Sequence, residues 1–246
     1  MRLDWNPTNY QFAWQVVAEY KDWLWKGVQL TLEVAVVSLV FAMILALPIS
    51  LMRMSPIWPV RTFASVYISI FRAIPLLVFI LWVYYGVTLV TGLNIVDFWS
   101  GVICLTLLYS AFFAEIYRSG LQAIDKGQRE AALSTGLSRT RAFVRVIWPQ
   151  AWRIIIPPVA SNFVGIIKDS SLVGVIGVNE LMRQSQIAVS LTFRPFELYT
   201  AAMVIYIILT FAVARLASFL EQRAARSLRV QTRRLPRIVR PIETAA

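Results

Sequence analysis

Apolar residues in this chain fall in long runs rather than in alternation. Residues 34–52 carry no charge, with Glu33 before them and Arg53 after. Residues 73–96 form a second charge-free run, 98–114 a third that continues through Glu115, and 198–214 a last one closed by Arg215. A fourth, before that last one, is broken: 154–167 is apolar, Lys168 and Asp169 interrupt it, and 170–177 resumes. A helix needs about 20 residues to cross the hydrocarbon of a bilayer, so the pattern predicts an all-α membrane protein with about five spans. In the second run Pro75 predicts either a kink or the first turn of a helix, and that helix could begin as early as Val66.

Between the third and fourth spans lies a run of different character, 130–149, EAALSTGLSRTRAFVRVIWP. Glu130, Ala131 and Ala132 favour helix and Gly136 breaks it, so a short surface helix ends there before a second climbs towards Pro149. Arg129, Arg139, Arg141 and Arg145 surround the lone carboxylate of Glu130. That arrangement suits an element seated in another protein's groove; a partnerless amphipathic connector is the competing reading.

Composition agrees with the bilayer as solvent. The chain is 58% hydrophobic and 15% charged over 246 residues, with mean hydropathy +0.64, more apolar surface than one soluble core of this size hides. No His occurs, which removes imidazole ligands and His acid–base chemistry. The single Cys104 cannot form an intramolecular disulfide and reads as packing.

Loop charge predicts orientation, since Lys and Arg near span ends are held in the cytoplasm. Arg53 and Arg61 follow span one, and Arg118, Lys126, Arg129, Arg139, Arg141, Arg145 and Arg153 follow span three. The other side holds Asp97 and a balanced set, Arg183 and Arg194 against Glu180 and Glu197. The N-terminus is therefore expected outside and the C-terminus in the cytoplasm. Residues 1–26, with Trp5, Trp14, Trp23 and Trp25, read as an interfacial segment that stays on the protein, 27–222 as the spanning domain, and 223–246 as a mobile basic tail. Topology and anionic lipid account for the net charge of +11 without nucleic acid.

Lys168 lies roughly 21 Å along a helix counted from Ile154, past the middle of the bilayer. Charges there are costly and usually functional. Adjacent residues on a helix do not face each other, so Lys168 and Asp169 each want a separate partner, and a zwitterionic amino acid offers one group of each sign. Equally open is structural pairing with Arg72, Glu115 or another subunit. Ser170 and Ser171 are read either as substrate contacts or as caps for the break, and Glu115 with Arg118, three apart, as a structural ion pair. Carboxylates such as Asp125, Glu130, Glu180 and Glu197 are spaced like ordinary loop charges.

The run at 130–149 resembles the EAA loop of ABC-importer permeases: Glu130-Ala131-Ala132, Gly136 four residues beyond Ala132, and apolar-x-apolar-Pro at the end. The flanks, Ser110 to Gly120 with Gly127-Gln128, Phe71-Arg72-Ala73-Ile74-Pro75-Leu76-Leu77 and Lys168-Asp169-Ser170-Ser171-Leu172-Val173, are similar to the polar amino acid uptake subfamily. The likeness covers about residues 27–223, with one departure, Trp148 where the family usually carries Leu. It implies a type I importer permease fold with a cytoplasmic coupling helix in the bacterial inner membrane. Glu130, Ala131, Ala132, Gly136 and Pro149 become the candidate ATPase-coupling residues, and Lys168, Asp169, Ser170, Ser171 and Arg72 the candidate substrate path. It implies as partners two ATP-binding subunits, a second permease as homo- or heterodimer, and an extracytoplasmic amino acid binding protein. The chain has no GxxxxGK[ST] phosphate loop, so ATP hydrolysis falls to a separate subunit; no cofactor and no catalytic residue are expected. A self-contained secondary transporter or channel is the alternative, and it leaves the 130–149 run without a purpose.

Overall fold

A computed structural model describes residues 10–93 and 95–232, with side chains as far as residue 219. All its regular elements are helical among these residues. In chain order they are α1 (Gln15–Glu19), α2 (Lys21–Arg53), α3 (Trp58–Ala73), α4 (Leu76–Thr91), α5 (Asp97–Gln122), α6 (Lys126–Ser134), α7 (Arg139–Ile176), α8 (Leu181–Thr192) and α9 (Pro195–Thr232). Four helices, α2, α5, α7 and the 195–219 part of α9, are long and apolar enough to cross a membrane, and α3 with α4 makes a fifth span if counted as one.

That pair is where the chain departs most from a simple kink. Proline disfavours the α region in the residue before it, and Ile74 is extended (φ −75°, ψ 129°), as is Pro75 (ψ 125°). The helix stops at Ala73 and restarts at Leu76, bent by 103°.

Span one is longer than its charge-free run. Lys21 to Glu33 continue the same helix outwards, so the first long helix passes through residues 26 and 27 without a break. The rest of the expected interfacial segment is α1 and the chain leading to it, while residues 1–9 lie outside the described residues. The basic tail begins as a continuation of α9, and residues 233–246 are likewise outside the described part.

Without a hydrophobic drive between helices in lipid, close packing of small side chains holds spans together. On α2, Ala35, Ser38, Ala42 and Ala46 recur every three or four residues and are fully buried. This stripe packs on α5, whose Cys104, Leu105 and Ala111 share the same core. Cys104 thus serves packing. The spans differ sharply in burial: 61% of the apolar window of α5 is buried inside the chain, against 6% for α9. α5 is the central post and α9 a flank whose Met203, Ile207, Ile208 and Phe211 face outwards.

Two expected loop carboxylates prove to be buried joints. Glu180, fully buried, caps α8 by accepting from the Met182 N–H (2.8 Å) and the Arg183 N–H (2.7 Å), and the Tyr206 hydroxyl of α9 donates to it at 2.8 Å. Glu197, also fully buried, accepts from the Ala13 N–H at 2.8 Å and from the Tyr10 hydroxyl. The cap on α8 is local, but the partners that bury the two carboxylates are not: Tyr206 is 26 residues from Glu180, and Tyr10 is 187 residues from Glu197.

Candidate functional site

α5 and α7 run antiparallel, and their contact faces carry a line of polar and small residues. On α7, Pro158, Asn162, Gly165 and Asp169 recur at helical spacing and so share one face. Opposite them on α5 stand Ile116, Phe112 and Tyr109. The Tyr109 hydroxyl donates to Asp169 Oδ2 at 2.9 Å. This approach needs a glycine at 165, since a Cβ there would lie 2.7 Å from the Tyr109 hydroxyl oxygen. From Tyr109 the path continues to Phe112, ring centroids 5.9 Å apart, and from Phe112 to Arg72, whose guanidinium carbon stands 5.2 Å from the ring centroid. Arg72 reaches the lane because α3 ends one residue later. A cavity of about 310 Å³ opens beside it, lined by Arg72, Phe112, Glu115, Ser119 and Asn162 among others.

The sequence-predicted path residues therefore separate. Arg72 and Asp169 lie at two points of one lane, joined through Phe112 and Tyr109. Lys168 is exposed on another face of α7 and makes no ion pair among the described residues. Ser170 donates to the Ile167 carbonyl (2.8 Å) and Ser171 to the Lys168 carbonyl (2.7 Å). Their hydroxyls satisfy carbonyls where the helix tightens into a 3₁₀ turn at Ser170–Ile176, which matches the capping alternative. Glu115 pairs with Arg118 at 2.7 Å, as its spacing predicts, and also with Arg53 at 3.8 Å. Arg53 in turn donates to Ser65 at 2.6 Å, so Glu115 ties α2, α3 and α5 together at one end of the bundle. Tyr109, Phe112, Asn162 and Gly165 escaped the sequence reading. The detectable signal was polar and small residues at three- and four-residue spacing inside an otherwise apolar span.

The run at 130–149 folds as a helix, a bend and a helix. Asp125 caps α6, its Oδ1 accepting from the Gly127 N–H at 2.6 Å. Glu130 and Ala131 are exposed, and Ala132 turns inward. Gly136 adopts φ +82° with nothing within 4 Å of where a Cβ would be, so this position needs glycine for its backbone, not for space. Ser138 then caps the start of α7. Pro149 is exposed on α7. Trp148 occupies an aromatic bracket with Tyr117, Phe143 and Trp152, centroids 5.6 to 6.1 Å away, which gives the large side chain its room.

Known proteins share this architecture. Residues 35–226 match the family described as binding-protein-dependent transport system inner membrane component. A probable glutamine ABC transporter permease of Bacillus subtilis, GlnM, is 34% identical over 197 residues, 80% of this chain and 91% of the relative. The arginine transport system permease ArtQ of the same organism is 33% identical over 198 residues, covering 80% and 90%. A crystal structure of an amino acid ABC transporter superposes with TM-score 0.80 at 37% identity, covering 87% of this chain and all of that one. A methionine ABC transporter in an inward-facing conformation, at 20% identity and TM-score 0.69, shares the fold. None of these relatives supports a self-contained carrier or channel. With the family matched across most of the spanning part and permeases similar over four-fifths of its length, this chain belongs to the inner-membrane components of binding-protein-dependent transport systems and is a permease subunit of an ABC importer.

Proposed function

We propose that the chain forms half of the pathway for a polar amino acid, with the lane between α5 and α7 as its polar track. The observation that carries this reading is the Arg72–Phe112–Tyr109–Asp169 succession, a cation and a carboxylate separated by aromatic faces within a membrane bundle. A zwitterion moving along it meets one group of each sign in turn. Asp169 receives the ammonium group and Arg72 the carboxylate, while Lys168, exposed on another face of α7, contributes only at a distance. Ser170 and Ser171 hold the helix end on which Asp169 sits.

The machine comprises two copies of this chain or a mixed pair, two separate ATP-binding subunits and an external binding protein. The elbow at 126–142 seats Glu130 and Ala131 in the ATPase, with Ala132 packed inward behind them, and Pro149 marks where its motion enters α7. Loop charge supports an outside N-terminus and a cytoplasmic C-terminus. Cysteine placed at Ser134 should label only after permeabilisation and cysteine at Ser190 in intact cells, with little background because Cys104 is buried. The functional test is reconstitution into vesicles with the ATP-binding subunit and binding protein. Uptake of labelled glutamine or arginine should require ATP and all components; uptake by this chain alone would overturn the reading.

A further inference from the structure

Where α2 and α5 end, the elbow roofs a cavity of about 560 Å³ that the transport reading does not use. Its walls are of two kinds. One is apolar and open: Leu51 and Met54, 43% and 40% exposed, with half-buried Phe143 beside them. The other is cationic, formed by Lys126, Arg129 and Arg139. Asp125 is the only acid in the lining, and its Oδ1 is already held by the Gly127 N–H. The ion pairs among the described residues are Arg53–Glu115 and Arg118–Glu115, so none of the three cations is neutralised by one.

Depth decides what such a cavity fits. Leu51 lies in the last turn of span one and Arg53 closes it, which sets the apolar wall at the end of the hydrocarbon and the cations at headgroup level. A free anion would use only the cationic wall, and an apolar chain only the other. A molecule that presents a phosphate and an acyl chain side by side uses both. We propose that this cavity is a site for one anionic phospholipid, its phosphodiester between Lys126, Arg129 and Arg139 and its first acyl carbons against Leu51, Met54 and Phe143. Because Lys126 and Arg129 belong to the elbow helix, the lipid braces the elbow against the end of α2.

The test is electron spin resonance of spin-labelled phosphatidylglycerol on the assembled transporter in nanodiscs. A motionally restricted component of about one lipid per chain should appear. Unlabelled phosphatidylglycerol should displace it at least about tenfold better than phosphatidylcholine, since each cation near the surface contributes to anionic lipid binding. The triple variant Lys126→Gln, Arg129→Gln, Arg139→Gln should lose the component, while Arg141→Gln, Arg145→Gln, Arg153→Gln, with equal charge removed outside the cavity, should keep it. Equal loss in both triples would reduce the effect to a diffuse field. Equal competition by phosphatidylcholine would leave only an apolar groove, and displacement by inorganic phosphate would make the ligand a free anion. No restricted component in the assembled wild type would assign the cavity to a neighbouring subunit. Each of these four outcomes overturns the site, and the competition arms need no variant to fold.

Discussion

The elbow at 126–142 and the lane between α5 and α7 each combine a helix break with a few polar side chains, but they hold them differently. In the elbow the determinants are local. Asp125 caps the helix two residues on, Gly136 supplies the turn, and Ser138 starts the next helix. Its Glu130 and arginines are exposed, where an unpaired charge costs little. In the lane the groups come from three helices. Asp169 depends on a tyrosine 60 residues away, and Arg72 stands over a ring 40 positions further along the chain. A partner there is obligatory, because an unsatisfied polar group in hydrocarbon costs several kcal/mol. Among the described residues, exposed charges, Arg72 among them, stand without an ion pair, whereas half-buried Asp169 is satisfied in part by Tyr109.

The contrast breaks first at Asp169. Asp169→Asn keeps an oxygen that accepts from Tyr109, so assembly and thermal stability should hold, while the negative charge is lost. If that charge holds the passing ammonium group, the missing charge-assisted bond is worth about 1.5 to 3 kcal/mol, roughly ten- to a hundredfold in uptake. Uptake and substrate-stimulated ATPase activity in vesicles, set against yield of assembled complex, measure it. Full uptake would remove Asp169 from the path. A collapse in yield would make it a purely structural acceptor. Lys168→Met, on another face of α7, should cost less than Asp169→Asn; the reverse order would place the main contact outside the lane.

The elbow should fail in the opposite manner, through its backbone. At φ +82° Gly136 has empty space around it, so Gly136→Val meets no clash, only the penalty of a β-branched residue in the left-handed region. That penalty is about 1 to 2 kcal/mol or more, enough to shift the elbow about 5- to 30-fold towards another geometry. Retention of the ATP-binding subunit during purification should fall by a similar factor while membrane insertion is unchanged. Gly136→Asn, which tolerates that backbone, should largely restore it. Normal retention with valine would make the elbow an ordinary connector.

The same contrast explains what could be read from the sequence. The elbow was legible because every determinant lies within a few residues of the next. Charge-free runs gave the spans, since their length is fixed by the bilayer. Pro75 announced an interruption, but its angle of 103° depends on how α4 packs. The lane was half legible. Asp169 stood out as a charge interrupting an apolar run and Arg72 entered through the family resemblance, whereas Tyr109 looked like one more aromatic in span three, and only the register of α5 against α7 turns its hydroxyl to Asp169. Glu180 and Glu197 misled for the same reason, as Tyr206 reaches Glu180 from α9 and Tyr10 and Ala13 reach Glu197 from the chain before α1.

The smallest expected effect gives the sharpest test of the lane. Tyr109→Phe keeps the ring between Phe112 and Asp169 and removes one hydrogen bond to a carboxylate, a class worth about 1.5 to 3 kcal/mol, of which uptake feels only the part that positions Asp169, roughly two- to tenfold. Gly165 separates the loss of that bond from a mere loss of packing. Its added methyl in Gly165→Ala would meet the tyrosyl oxygen at 2.7 Å, while the nearest ring carbons stand at 3.6 Å, an ordinary contact. Gly165→Ala should therefore impair uptake in the wild type by pushing the hydroxyl off Asp169, yet change little once Tyr109→Phe has removed that oxygen. The pair is non-additive by the strength of the Tyr109–Asp169 bond. Uptake from the four chains of this cycle decides it: simple additivity would mean that the hydroxyl does not set the position of Asp169, and that the lane tolerates its carboxylate elsewhere.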